Sequence, residues 1–260
     1  MTILENILID KRKEVDLRKS LIPSDQLERS VLFDRTSPSL AAGIRSKQTG
    51  IIAEHKRRSP SKSVINQSLN TFDVCKGYEK AGAAGISVLT DVKYFGGSLD
   101  DLLLARASSS LPLLRKEFMI DPYQVIEAKA YGADVILLIA AALNPKDLEE
   151  LARLTKELGM DVLLEVHNLE ELQRYLNPYI DLVGVNNRNL KTFELSLETS
   201  MELSKEIPDE FVKVSESGIS NAEAIKELTP FGFSGFLIGE RFMATGDPGA
   251  AAAEFINDLK

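Results

Sequence analysis

Residues 79–89 read EKAGAAGISVL, and the same order of helical text, a glycine and a short β-rich apolar run returns in 127–138 (EAKAYGADVILL), 155–166 (TKELGMDVLLEV) and 228–239 (LTPFGFSGFLIG). Each is a helix released into a strand. Gly82, Gly132, Gly159 and Gly232 stand where the helix stops, and without a Cβ they take the left-handed conformation there at no steric cost. Working outward, the pattern predicts strands near 51–55, 86–90, 112–116, 134–139, 162–166, 181–186, 212–216 and 235–239, with helix-compatible text between them. The clearest helix is 144–159, with Asn144 as N-cap, Pro145 in the first turn and Leu148, Leu151, Thr155 and Leu158 on one stripe. Eight strands joined by helices imply an α/β chain closed into a (β/α)8 TIM barrel. A doubly wound open sheet is the alternative. Its dinucleotide-binding form wants a Gly-rich turn after the first strand, where this chain runs from IIAEH into KRRSPSKS.

Residues 1–48 precede the first strand, and Thr2-Ile3-Leu4-Glu5 reads as a capping box ahead of Ile7 and Leu8. An N-terminal helical extension packed on the barrel is expected, within a single domain spanning 1–260. The segment from Arg57 to Asn70 is too long and polar for an ordinary strand-to-helix turn and is expected to be a mobile flap. A chain of 260 residues with 44% hydrophobic content can bury one large core. No window approaches the roughly 18 uncharged residues of a membrane span. A net charge of −8 and a pI near 5.0 oppose broad nucleic-acid binding. Neither membrane nor nucleic acid is therefore an expected partner, and an anionic ligand has to be held locally. Cys75, the one cysteine, excludes an intramolecular disulfide and lies in helical text. It is read as a packing residue in a cytoplasmic protein.

In such a barrel the chemistry gathers where strands end, so the polar residues closing each apolar run are the candidates. They are Glu54 and Lys56 on the first strand, Lys116 on the third, Glu165 on the fifth, Asn186 and Arg188 on the sixth, and Glu216 with Ser217 on the seventh. Strand side chains alternate with period two, which puts Glu54 with Lys56, and Asn186 with Arg188, on one side facing the barrel mouth. A buried lysine needs a carboxylate nearby, and that carboxylate keeps it protonated against desolvation. Lys116 and Lys56 beside Glu54, Glu165 or Glu216 are thus suited to donate protons. Any one of these charges also has an ordinary reading as a snorkelling side chain or a structural ion pair, which fits the whole set poorly. His55 alternates away from Glu54 and is expected to face the helices; His167, two residues after Glu165, is also read as structural. No spacing resembles a metal site and no serine sits in a nucleophile elbow, so metal and acyl-enzyme chemistry are not expected. Ser217-Gly218 and Gly239-Glu240 follow the seventh and eighth strands, where barrels build phosphate cradles. Amides of Gly218, Gly239 and Glu240 can reach an anion there, provided the carboxylate of Glu240 turns away.

The segments AEHKRRSPSKS (53–63), LRKEFMID (114–121), LLEVHNLEEL (163–172), VGVNNRNL (183–190), VSESGIS (214–220) and FLIGERFM (236–243) follow in order along nearly the whole chain. Together they resemble the signature segments of the indole-3-glycerol-phosphate synthases, and TILENILIDKRKEV (2–15) resembles that family's N-terminal helix. The resemblance implies that Lys116 is the principal general acid and Glu165 its acid–base counterpart, with Glu54, Lys56, Asn186, Arg188, Glu216 and Ser217 completing the site. Ser59, Pro60, Gly218 and Gly239 would help form the substrate pocket. Ser63 stands where the motif more often has glycine, and Glu240 where many members have serine. The implied partner is a phosphorylated anthranilate, 1-(2-carboxyphenylamino)-1-deoxyribulose 5-phosphate. Its own nitrogen accepts the electrons released with CO2, so no cofactor is expected. The division of roles in the final dehydration among Glu165, Glu54 and Lys56 stays open. Two rivals are a phosphoribosylanthranilate isomerase, which would use a Cys and Asp pair at strand ends, and a non-catalytic barrel binding a sugar phosphate.

Overall fold

The helix stops fall where the glycines are: Gly82, Gly132, Gly159 and Gly232 have φ of +88°, +88°, +71° and +84°. The computed structural model describes residues 2–47, 49–189 and 192–259. Met1, Gln48 and Lys260, at the ends of the expected extension and domain, and Leu190, which ends the fourth signature segment, lie outside them. The strands are β1 (Gly50–His55), β2 (Gly85–Leu89), β3 (Leu113–Lys116), β4 (Val135–Ile139), β5 (Asp161–Val166), β6 (Leu182–Asn186), β7 (Val212–Glu216) and β8 (Phe233–Ile238). They form a closed barrel in chain order, every neighbour parallel and β8 paired back onto β1. The fold is the expected TIM barrel. The start of β8 lies at Phe233 rather than at Gly235, because the register with β7 shifts between Lys213 and Val214. An irregularity of that kind interrupts the period-two alternation along the strand.

Alternation divides the apolar residues into two layers. Ile52, Leu114, Leu137, Leu163, Val214 and Leu237 fill the barrel, while Ile51, Val88, Ile136, Leu164 and Phe236 pack against the helices outside. The N-terminal end of the barrel is plugged by the helix Leu40–Arg45, whose Leu40, Ala41 and Ile44 join the inner layer. Asp161 at the start of β5 holds that helix, accepting from Ser39 Oγ at 2.8 Å and from Ala41 N at 3.0 Å. The plug leaves the C-terminal ends of the strands as the open face.

The first helix, Ile3–Leu21, opens with the expected capping box: Glu5 N donates to Thr2 Oγ1 (3.2 Å) and Thr2 N donates to Glu5 Oε2 (2.7 Å). Its buried stripe is Ile7, Lys11 and Val15. The lysine in that stripe ends 2.9 Å from Asp91, 3.0 Å from Glu117 and 2.8 Å from Glu14. Burial opposes its charge, but the three carboxylates outweigh burial and raise its pKa. Asp91 follows β2 and Glu117 follows β3, so one ammonium ties the extension to two loops of the open face. No helix among the described residues is long and apolar enough to cross a membrane.

Candidate active site

At the open face the strand ends surround a cavity of about 750 Å³, within the usual range for a small-molecule site. Glu54, Lys56, Ser59, Pro60, Lys116, Glu165, Asn186, Arg188, Glu216, Ser217, Gly218, Gly239 and Glu240 all line it; the structure brings together every residue expected to form the site. At its centre, Lys116 Nζ lies 3.2 Å from Glu165 Oε2 and in close contact with Glu216 Oε2. Asn186 Nδ2 donates to Glu165 Oε1 at 3.0 Å. On the adjoining wall Lys56 Nζ donates to Glu54 Oε1 at 2.5 Å, and Ser87 Oγ donates to Glu54 Oε2 at 3.3 Å. Two ammonium groups thus face three buried carboxylates.

Burial works against every one of these charges, and their mutual attraction decides the protonation. Lys116 is desolvated, yet Glu216, Glu165 and Glu54 raise its pKa, so the ammonium persists. Burial pushes Glu165 and Glu54 toward the neutral form; Lys116 and His167 for the first, Lys56 and Lys116 for the second, more than reverse it. Glu216 goes the other way, raised by burial and by neighbouring Glu165 despite Lys116. Its Oε1 is buried without a hydrogen-bond partner. Room for that carboxylate comes from Gly184 on β6, where an added Cβ would collide with Glu216 Oε1. Gly184→Ala is therefore expected to displace Glu216 and lower kcat by about 10- to 100-fold with the fold retained. Parallel circular dichroism and turnover measurements check this; unchanged turnover would show that Glu216 need not stand where it does.

The consecutive basic residues after β1 divide their tasks. Lys56 points into the cavity; Arg57 makes a paired contact with Asp101 (2.6 and 2.7 Å); Arg58 donates to the carbonyls of Val92 and Lys93, both at 2.9 Å. The expected flap is a folded loop, pinned where Ile65 N and Asn66 N donate to Arg57 O (2.9 and 3.2 Å) and where Ser59 and Lys62 exchange backbone bonds. Lys62 also pairs with Glu240 at 2.8 Å, a hydrogen bond that lowers the pKa of that carboxylate. Ser63 has no positive φ, so serine replaces the family's glycine there without strain. Across the mouth, Ser217 (φ +65°) and Gly218 (φ +79°) form a left-handed turn after β7. Asn187 Nδ2 donates to the carbonyl of Ser217 at 3.0 Å and to Ser215 Oγ at 2.9 Å, fixing that turn from behind. The short helix Glu240–Met243 starts beside it.

His55 faces the helices as expected, 3.4 Å from Thr71 Oγ1, with burial and Arg57 lowering its pKa to about 4. Cys75 is buried in the helix Thr71–Ala81, its thiol pushed up to about 12 by burial, far from the behaviour of a strand-end catalytic cysteine. Residues not foreseen also line the cavity: Ile3, Leu4 and Ile7 of the first helix, Asp91 and Phe95 after β2, Glu117 and Phe118 after β3, and Leu195 after β6. Phe95 and Phe118 lie 6.0 Å apart and give one side an aromatic wall.

The family model described as indole-3-glycerol phosphate synthase matches residues 4–255. The chain belongs to the indole-3-glycerol phosphate synthase family. Within it, the chain is 47% identical over 258 residues to the indole-3-glycerol phosphate synthase of Bacteroides thetaiotaomicron, covering 99% of each chain. It is 43% identical to that of Bordetella pertussis, covering 98% of each. Among solved structures it resembles KGPDC from Streptococcus mutans (TM-score 0.62, 12% identity, 82% of this chain and 98% of that one). It also resembles thiamine phosphate pyrophosphorylase from Pyrococcus furiosus (TM-score 0.59, 15% identity, 83% and 97%). Those likenesses carry the barrel fold alone. In the synthase, the barrel supplies the ring of strand ends, and the signature segments supply the charges on it.

Proposed function

We propose that this synthase family member converts 1-(2-carboxyphenylamino)-1-deoxyribulose 5-phosphate to indole-3-glycerol phosphate in tryptophan biosynthesis, by ring closure, decarboxylation and dehydration. One observation carries the reading: a persistently protonated Lys116 stands among three carboxylates at the centre of a cavity that is aromatic on one side. The phosphate belongs at the amides of Gly218, Gly239 and Glu240 beside β7 and β8. The anthranilate ring belongs across the barrel, among Pro60, Phe95, Phe118 and the first helix. Holding both ends folds the flexible ribulose between them and brings the ring carbon onto the ketone.

As that carbon attacks, Lys116 donates a proton to the carbonyl oxygen, which becomes a hydroxyl. The anthranilate nitrogen, now an iminium, takes up the electron pair left as CO2 departs. Loss of the hydroxyl and of a ring proton then restores aromaticity. Glu165, held ionised, is placed as the base, and the Glu54–Lys56 pair is the second acid–base couple within reach. Glu216 Oε1, buried without a partner, is matched to a ribulose hydroxyl, since leaving such an acceptor unpaired costs about 1–3 kcal/mol. A cytoplasmic setting is part of the same proposal. The test is direct because the chain contains no Trp: indole fluorescence should grow when purified protein meets the substrate. Folded protein that binds the substrate and yields no indole would favour a sugar-phosphate binder without chemistry.

A further inference from the structure

Behind Glu165, on the side away from Lys116, stands a histidine that does not line the cavity. His167 follows Glu165 by two residues at the end of β5, and its Nε2 lies 3.3 Å from Glu165 Oε1. Its Nδ1 lies 3.1 Å from Glu171 Oε2. Glu171 is itself immobilised in the helix Leu169–Tyr175: it accepts from His167 N at 2.8 Å and from Asn168 Nδ2 at 2.9 Å, while Asn168 caps the helix through Glu171 N. The ring is thus clamped on one nitrogen. The other nitrogen is buried and makes no well-aligned hydrogen bond, so the carboxylate of Glu165 is the acceptor it is offered. Hydrogen bonds at catalytic groups are often off-line before the reacting complex tightens them.

We propose that His167 is a positioning residue for the reaction: braced by Glu171, it aims Nε2–H at Glu165 and holds that carboxylate, as an anion, against Lys116 and Asn186. The inference rests on the synthase reading given above. The groups facing the imidazole are Glu165 on its own strand and Glu171 on the following helix; beyond Glu165 stand Lys116 from β3, Asn186 from β6 and Glu216 from β7. Burial alone would discharge the ring, and the two flanking carboxylates reverse this, raising its pKa to about 10. A histidine so raised contributes stability that is fully present below its ordinary value of about 6.5 and lost as pH rises through about 10.

Two measurements test this. With ¹⁵N-labelled histidine the protein gives only two imidazole systems, His55 and His167. Between about pH 7 and 9, both nitrogens of His167 should show imidazolium shifts and His55 should be neutral; a neutral His167 would overturn the proposal whether or not the protein turns over the substrate. In kinetics, His167→Gln should lower kcat roughly tenfold or more, leave KM within about threefold, and move the acid limb of the kcat profile to higher pH, because Glu165 loses a cation. His167→Lys, which restores a charge, should return the limb toward its original position. A purely structural histidine would lower Tm and leave the limb where it was, and that result contradicts the proposal. If the parent itself makes no indole, the synthase reading fails and the nitrogen shifts alone judge the His167–Glu165 contact.

Discussion

Lys116→Ala is expected to lower kcat by about 10³-fold or more while weakening substrate binding only modestly. The substitution removes the proton that the ketone oxygen takes up as the ring closes. It also leaves Glu54, Glu165 and Glu216 crowded together without their shared cation. Like charges in a buried site cannot all persist, so at least one carboxylate takes up a proton, and Glu165 loses the cation that does most to hold it ionised. The loss should therefore exceed that of removing an isolated general acid. Steady-state kinetics with a separate titration of binding separate the two effects. Activity within a few-fold of the parent would refute the assignment of the acid.

The second large effect falls on stability. Lys11→Met keeps the length of the side chain and strips its charge, which leaves Asp91 and Glu117 buried without their ammonium. Breaking a buried ion pair from one side costs about 3–5 kcal/mol, and a chain of this size should lose about 10 °C in Tm. The cavity should suffer as well, because Ile3, Leu4 and Ile7 on the same helix form part of its wall. A raised KM is the expected companion. Thermal unfolding and KM measured on one preparation check both parts. A Tm within about 2 °C of the parent would show that the buried triad contributes little net stability, as some buried ion pairs do.

Much of this architecture was legible because barrel strands carry strong local signals. The four glycines that end helices mark where strands begin, and Glu54, Lys116, Glu165 and Glu216 stand out as charges closing apolar runs. The catalytic face could be read for the same reason: polarity at a strand end is visible in one dimension. What stayed hidden depends on contacts between distant segments. Lys11 joins Asp91 and Glu117 across the fold; the only trace in the sequence is a lysine set four residues from Ile7 and from Val15 on an apolar stripe. Gly184 reads as an ordinary strand glycine until the neighbouring strand places Glu216 against it. Asn187 alternates away from the cavity and yet fixes the turn at Ser217. Composition marks 57–70 as a long polar loop but says nothing of the internal bonds at Arg57, Ser59 and Lys62 that tie it. His167 was read as structural, and spacing alone could not show that Glu171 would clamp its far side.

The most direct test of the central claim is a single experiment on two proteins, parent and Lys116→Ala, each mixed with the carboxyphenylamino-deoxyribulose phosphate while indole fluorescence and released CO2 are followed together. The parent should yield both in equal amounts, and the variant, still folded and still binding substrate, should yield neither. Indole and CO2 from the variant at the parent's rate would contradict the account, because the buried ammonium would then not be the acid that closes the ring.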